Sequence, residues 1–459
     1  MFRSALPYLE NKWIVSPDRK PLVIRGARQV GKTWLARTLA LHTEKKLVEV
    51  NFERDPQIKS LFETNNPKEI LQNLEVYSGV KIDPASSLLF LDEIQEAPEI
   101  LAKLRWFYED LPELPVIAAG SLLEFILQDH AFSMPVGRIS YMHLEPLSFE
   151  EFLHGCGKET LLTYIRNIKP PFVIPSAIHE KLQDGFRTYV CVGGMPAVVA
   201  NWIKNQSIED VINIQQDLLT TYRDDFFKYK GRIDVHKLDT ILKAVPLQLG
   251  EKFVYSKADS SIQSAVGKQI LSLFNKARLC HGVQSSSGNG VPLGAEVKEK
   301  AFKEIFLDVG LAGRSLGNGF SMPQTTTEGG ISEQVAGQML RTLFPPYEEP
   351  SLYYWQREEK PSNAEIDYLI EHGKQVIPVE VKSGSTGSLK SLHLFMDLKK
   401  STIAVRINND FPSITAVSVK GRDGQNLSYT LLSIPFYLTG QIHRLLDCND
   451  LLRNPHDTH

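Results

Sequence analysis

Apolar residues along the chain fall into two rhythms: short unbroken runs bounded by turn residues, and longer stretches where they return every three or four positions. The first third alternates the two. Leu22 to Ile24 is an apolar run, a glycine-containing loop follows, and Leu35, Ala36, Leu39 and Ala40 then recur at helical spacing. SSLLFLDEIQ, starting at Ser86, and PVIAAGS, ending at Ser121, are further apolar runs that deliver polar residues at their carboxyl ends. Strands alternating with helices predict an α/β domain whose ligand sits beyond the carboxyl edge of the sheet. Ser148, with Glu151 three residues on, marks a capped helix start in LSFEEFL.

From about Lys158 to Gln248 the pattern is mostly helical, broken by a turn at Gly193, Gly194 and Pro196. The simplest account is a helical lid. The next stretch reads as helix, short helix, longer helix (about Ser261 to Asn275) and strand, a succession compatible with a winged helix. Gln263, Lys268 and Lys276 on its third helix would then read DNA; equally, the unit is a scaffold between larger domains. The serine and glycine stretch from Gln284 to Gly294 reads as a flexible wing or loop. The last third gives a helix (Ile331 to Leu343), three short strands (LYYWQ, EIDYLI and VIPVEVK), a helix from Ser388 to Leu398, and the strand STIAVRI.

Composition narrows this picture only slightly. A chain of 459 residues is about three domains' worth at roughly 150 residues each. The hydrophobic share of 42% and charged share of 23% are close to those of a globular chain, so neither disorder nor a fibrous class is favoured. The start, MFRSALPYLENKW, lacks a signal peptide's apolar run, and no stretch reaches the roughly 18 to 20 apolar residues of a membrane span. The cytoplasm is the expected compartment, with no membrane partner. Cys156, Cys191, Cys280 and Cys448 are scattered without metal-site spacing and read as buried fillers. The net charge of -3 gives no global pull toward nucleic acid, so any contact with DNA must come from local patches.

The most specific chemistry lies in the loop after the first strand, which reads G-x-x-x-x-G-K-T. Gly26 and Gly31 allow the backbone from Gly26 through Ala27, Arg28, Gln29, Val30, Gly31, Lys32, Thr33 and Trp34 to turn its N–H groups inward. The result is a phosphate nest at the positive end of a helix. Lys32 would reach the β and γ phosphates of ATP, and Thr33 would hold Mg²⁺. Asp92 fits the partner of that Mg²⁺, and Glu93 the base that polarises the attacking water. Ser121 is a candidate sensor of the γ phosphate, or a helix N-cap. Arg138 would stabilise transition-state charge in its own site or in a neighbouring subunit, or is a surface arginine. No small-substrate pocket motif follows the second acidic strand, which disfavours a kinase or metabolic enzyme.

A second set of polar residues lies near the other end. A two-residue Gly373-Lys374 turn joins EIDYLI to VIPVEVK, and its register places Asp367 opposite Glu380 and Glu365 opposite Lys382. Period-two alternation puts these four on one face and Ile366, Tyr368, Val379 and Val381 on the other. Opposed carboxylates repel unless a cation or proton is shared, so Asp367 and Glu380 ask for a metal ion, with Lys382 beside them to stabilise developing charge. Lys390, His393, Lys399 and Lys400 on the following helix offer a phosphate-contacting patch or a solvated face.

The run G-A-R-Q-V-G-K-T, L-F-L-D-E-I-Q, A-A-G-S, the G-R pair and L-E-P-L-S-F-E-E-F resembles the AAA-type module of a large group of uncharacterised bacterial and archaeal ATPases. The resemblance implies an ATPase that assembles as a homo-oligomer. In that group a strand running into an L-D-x-G-L-A turn closes the middle portion; Asp308, Gly310 and Leu311 match it, in a structural role. D, then E-x-K on an adjacent strand, resembles the PD-(D/E)xK nucleases of the restriction-endonuclease-like fold, though Ile366 stands where those have proline. That resemblance implies Mg²⁺ at Asp367 and Glu380, and Glu333 matches an additional acidic position on the leading helix. The expected architecture is therefore an α/β chain in three parts. These are an AAA-type P-loop NTPase domain (1–155), a helical lid and winged-helix-like region (156–325), and a restriction-endonuclease-like α/β domain (326–459). The expected function is ATP turnover coupled to DNA binding or processing; the alternative is a regulatory ATPase whose nuclease-like domain does not cleave.

Overall fold

The computed structural model describes residues 2–121, 135–227, 234–317, 328–357, 364–382 and 389–448. The chain divides into two compact units. The first comprises Met1–Pro146, Ser272–Leu279 and Phe344–Pro350, and the second Leu147–Leu271, Cys280–Leu343 and Ser351–His459.

In the first unit the apolar runs become strands β1 (Leu22–Arg25), β2 (Lys46–Asn51), β3 (Ser87–Asp92), β4 (Val116–Ala119) and β5 (Ser140–His143). All pair in parallel, in the order β2-β3-β4-β1-β5. Helices α1 (Lys32–His42), α2 (Pro67–Ser78) and α3 (Ile100–Asp110) return the chain between strands, as parallel pairing requires. Each reads its boundaries locally. For α2, Asn66 accepts from Lys68 N at 3.0 Å as N-cap, Pro67 fills the first turn, and Gly79 at φ +66° ends the helix. Leu101, Leu104 and Phe107 of α3 pack with Leu89, Leu91 and the Phe52–Phe62 pair into one core. A Leu104→Ala change there would cost about 2–5 kcal/mol.

The second unit begins with helices α4 (Phe149–Gly155), α5 (Glu159–Asn167), α6 (Ser176–Val192), α7 (Pro196–Asn205), α8 (Ile208–Phe227), α9 (Val235–Leu247), α10 (Tyr255–Ala258) and α11 (Ser264–Lys276). The capping box of α4 is present: Ser148 accepts from Glu151 N and Glu151 from Ser148 N. The last residues of α11 fall within the first unit. The hairpin β6 (Cys280–Ser286) and β7 (Val297–Phe306) follows, then α12 (Val309–Ser315), α13 (Glu328–Arg341), β8 (Leu352–Gln356), β9 (Glu365–His372), β10 (Gln375–Val381), α14 (Lys390–Lys399), β11 (Ile403–Asn408), β12 (Ser413–Lys420), β13 (Asn426–Pro435) and α15 (Ile442–Leu446). One eight-stranded sheet runs β12-β13-β11-β10-β9-β8-β6-β7.

This sheet runs across two of the expected parts. The helix-helix-helix-strand succession is present as α9, α10, α11 and β6, but β6 pairs in parallel with β8, so strands on both sides of residue 325 share one sheet. Local pattern identifies a strand without naming the sheet that buries it. The compact division likewise falls at Pro146, ahead of the α4 start, and it has two units where length suggested three. The serine and glycine stretch is no flexible wing: Ser285 and Ser286 are buried strand residues, Ser286 Oγ donates to Leu293 O at 2.9 Å, and Leu293 N donates to Glu371 Oε1 at 2.7 Å. Asp308 is fully buried and caps α12, accepting from Leu311 N, Gly194 N and Gln338 Nε2, while a Cβ on Gly310 would lie 2.7 Å from Val192 O. Asp308 and Gly310 thus hold the α6–α7 turn against α12.

Candidate functional site

Two groups of chemically active side chains stand out, one in each unit. In the first unit the loop between β1 and α1 is shaped by left-handed backbone at Gln29 (φ +65°) and Gly31 (φ +97°). A Cβ on Gly26 would lie 2.5 Å from Leu144 O, so only glycine passes this close to the segment leaving β5. Ala27 and Val30 are buried beneath the loop, and Lys32 Nζ donates to Gly26 O at 3.0 Å and Ala27 O at 2.8 Å. Thr33, one residue into α1, donates from Oγ1 to Asp92 Oδ2 at 3.0 Å.

Asp92 closes β3, buried, and among the described residues the donors bonded to its oxygens are neutral. Oδ2 takes Thr33 and, at 3.4 Å, Asn51 Nδ2; Oδ1 takes the N–H of Glu93 at 3.1 Å. Burial, reinforced by the adjacent Glu93, raises its carboxyl above the usual range, which marks a site that gains from a cation. A hydroxyl and a carboxylate are hard oxygen ligands of the kind Mg²⁺ prefers, so this donor set fits that ion. Glu93 sits in left-handed backbone (φ +50°), strain that persists where the surroundings fix a useful orientation, and its Oε2 accepts from Gln95 Nε2. Because β4 lies between β1 and β3, Ser121 just beyond β4 is placed at the carboxyl edge between the loop and the acids, and it is buried. The helix it would cap lies outside the described residues.

Arg138 lies apart from this group. β1 and β5 run parallel with Leu22 beside Ser140, so the segment entering β5 is at the amino edge, opposite the phosphate loop. There Arg138 Nε donates to Glu109 Oε1 at 2.7 Å, half-exposed. Of the alternatives weighed for it, this polarity favours the surface or a neighbouring subunit over its own subunit's site. Sequence reasoning also missed Asn51, the last residue of β2, paired with Asp92 across the sheet. His143 was missed too. It ends β5 beside Arg25, with Arg278 and Glu349 nearby in the same unit, and burial followed by Arg278 lowers its pKa to about 4.

Residues 18–153 match the family model described as an AAA domain. The N-terminal part of this chain is an AAA-type P-loop ATPase domain. Residues 183–321 and 328–436 match two models described as domains of unknown function (DUF8612 and DUF4143). No curated protein matches the chain. Solved structures similar to it include the Thermotoga maritima RuvB Holliday junction branch migration motor, at 14% identity over 65% of this chain and 93% of that one, TM-score 0.29. A katanin structure (14% identity, 60% and 83%, TM-score 0.26) and PCH-2 of C. elegans (13%, 39% and 47%, TM-score 0.20) are similar at the same low level, which supports no functional inference. No described helix is long and apolar enough to cross a membrane.

Outside the AAA domain, the second group lies on the large sheet. The β9–β10 register pairs Gln375 with His372 through Val379 with Tyr368, and one step further along it sets Glu380 beside Asp367. Asp367 Oδ2 accepts from Val381 N at 2.7 Å. Lys382 Nζ donates to Glu380 Oε1 at 2.6 Å, whereas the expected partner Glu365 is taken at 2.5 Å by Lys303 of β7. Lys303, only 4% exposed, also bonds Glu333 Oε2 of α13 at 2.9 Å. Glu333, Glu365 and Glu380 have thus met cations from the chain itself, while Asp367 meets a backbone N–H. Burial first, and Asp367 next, raise Glu380 to about 7 and Glu333 to about 8; Asp367 is raised as well, chiefly by burial.

Among the described residues no three His, Cys, Asp or Glu side chains converge as a metal-holding group. Glu333, expected as a ligand, is occupied by Lys303. What remains open is Glu380 Oε2, buried and without a partner. Sequence reasoning missed Lys303, although its parity with Ile305 on an inward-facing strand was a signal that an acid must meet it. The expected patch on α14 disperses: His393 bonds Tyr429 at 2.9 Å, Lys399 bonds Asn289 and Lys400 bonds Asp397.

Proposed function

We propose that this protein hydrolyses ATP as an oligomer, with Lys32, Thr33, Asp92 and Glu93 as the working residues and with the second unit as the module whose contacts the turnover controls. The observation that carries this reading is the meeting of Thr33 and Asp92 at 3.0 Å, across the gap between phosphate loop and acid-bearing strand. Lys32 would exchange its bonds to the loop carbonyls for phosphate oxygens, and the loop N–H groups would hold the β phosphate. Thr33 and Asp92 would hold Mg²⁺, which when bound supplies charge neutralisation of the phosphates. Glu93 would take the proton of the attacking water, its carboxylate fixed by Gln95. The placement of Arg138 at the amino edge suits a finger directed at a neighbouring subunit. Phosphate-release assays test the reading: Glu93→Gln should bind a fluorescent ATP analogue while turnover falls by roughly 10² or more, and Lys32→Ala should lose both. Wild-type turnover in either variant contradicts it.

For the second unit, the order α13, β8, β9, β10, α14, β11 with Asp367, Glu380 and Lys382 supports a restriction-endonuclease-like module acting on DNA. Gln263, just ahead of α11, and Lys268, on it, are exposed and are candidate phosphate contacts. The lysine bonds to the carboxylates favour the version of this reading in which the module binds without cleaving. Plasmid and branched DNA incubated with Mg²⁺ or Mn²⁺ should remain intact; cleavage lost in Asp367→Ala and Lys382→Ala would establish a nuclease instead.

A further inference from the structure

We infer that Lys303 is a built-in cation that takes Glu333 and Glu365 out of any metal site, leaving Asp367 and Glu380 as the only carboxylates of this cluster able to meet an external ion. The inference rests on reading the cluster as nuclease-like, and it divides that cluster into a locked half and an open half.

In the locked half, the ammonium of Lys303 sits between Glu333 Oε2 at 2.9 Å and Glu365 Oε1 at 2.5 Å, with the Tyr354 ring centroid 5.4 Å away. An ammonium has three donors; two carboxylates and an aromatic face satisfy it in a buried setting. Three elements distant in sequence, β7, α13 and β9, bring these groups together, and α13 is held on the sheet by its packing against β7, β8 and β10. The backbone closes the same place. Lys252 bridges to Lys303, and a Cβ on Gly250 (φ +78°) would stand 3.0 Å from Glu333 Oε1. A hydrated divalent ion keeps several waters and demands near-octahedral room. Between Gly250, Glu333 and Lys303 that room is taken. In the open half, Lys382 holds Glu380 Oε1 at 2.6 Å, but among the described residues Glu380 Oε2 has no partner, and Asp367 keeps one oxygen beyond the bond from Val381 N. Glu333 is therefore a positioning residue for Lys303, and Lys303 fixes Glu365 beside Asp367.

The test uses the full chain without nucleotide, measuring Mn²⁺ affinity by electron paramagnetic resonance and melting temperature with and without Mn²⁺. Glu333→Gln should leave Mn²⁺ affinity unchanged; a loss of roughly tenfold or more, equal to that in Asp367→Asn, would overturn the inference. Lys303→Met should lower the melting temperature by on the order of 10 °C, because two buried carboxylates lose their cation. Mn²⁺ should restore most of that loss, as should the added change Glu333→Gln. Melting of Lys303→Met like wild type would also overturn it. Should Lys303→Met fail to fold, Glu333→Gln alone decides. DNA cleavage reports separately on the function: cleavage with unchanged Glu333→Gln affinity defeats the non-cleaving reading and spares the inference, whereas a Glu333→Gln affinity loss without cleavage does the reverse.

Discussion

Asp92 and Asp367 each stand on a strand beside a second carboxylate, yet the two surroundings treat charge differently. Around Asp92 the donors are a hydroxyl, a carboxamide and an amide N–H, while Lys32 Nζ donates to the carbonyls of Gly26 and Ala27. Around Asp367 the neighbouring acids are bonded by Lys303 and Lys382. Neutral donors orient a carboxylate without cancelling it, so it keeps its attraction for an arriving cation; a lysine in a buried bond has already supplied one. Similar residue lists at two sites can thus leave different numbers of acids available: Asp92 keeps its full charge, whereas in the second cluster lysines take Glu333, Glu365 and one oxygen of Glu380, and only Asp367 and the other oxygen of Glu380 stay open.

The largest effect that would sharpen this contrast is expected from Asp92→Asn. Losing the charge while keeping the shape should cut ATP turnover by on the order of 10²–10³, measured by phosphate release, since it removes stabilisation made at the phosphates. A turnover within threefold of wild type would erase the distinction drawn for the first unit.

Acid and base should separate the units next. His143 is held at about 4 against an ordinary 6.5, so between those values the unfolded chain carries a proton that the folded one refuses. Its contribution is complete above 6.5 and is lost as pH falls toward 4. Glu380 and Glu333 are raised from 4.5 to about 7 and about 8, so there the folded chain holds the extra protons. Their contribution is complete below 4.5 and is lost as pH rises toward 8. Hydrogen exchange read on peptides from each unit should show protection around β5 declining on acidification and around β9 and β10 declining on alkalinisation. The same direction in both would break the comparison.

The smallest effect is expected from Asn51→Ala. Its 3.4 Å bond to Asp92 is long, and losing it should lower turnover only severalfold, on the scale of about 1 kcal/mol for a single neutral hydrogen bond.

The parts of this account that were legible in the sequence are those set by local chemistry. Gly26, Gly31, Lys32 and Thr33 announce their loop because a nest of N–H groups needs those residue types at that spacing. The Gly373-Lys374 turn fixes the β9–β10 register by itself, as the pairing of Val379 with Tyr368 bears out. The parts that were not legible depend on distant partners. Nothing local in β6 tells it to pair with β8, and nothing near Lys303 names Glu333, thirty residues on, as its acceptor. Arg138 was readable as a cation after a glycine, but its place at the amino edge follows only from the direction of β5. β12 and β13, an edge pair with β12 largely exposed, went unread.

The most direct test of the central claim counts the metal ion that nucleotide brings. Manganese titrated into the full chain with a non-hydrolysable ATP analogue, followed by electron paramagnetic resonance, should show a nucleotide-dependent bound ion that disappears in Asp92→Asn and persists in Glu333→Gln. Retention of that ion in Asp92→Asn would contradict the account.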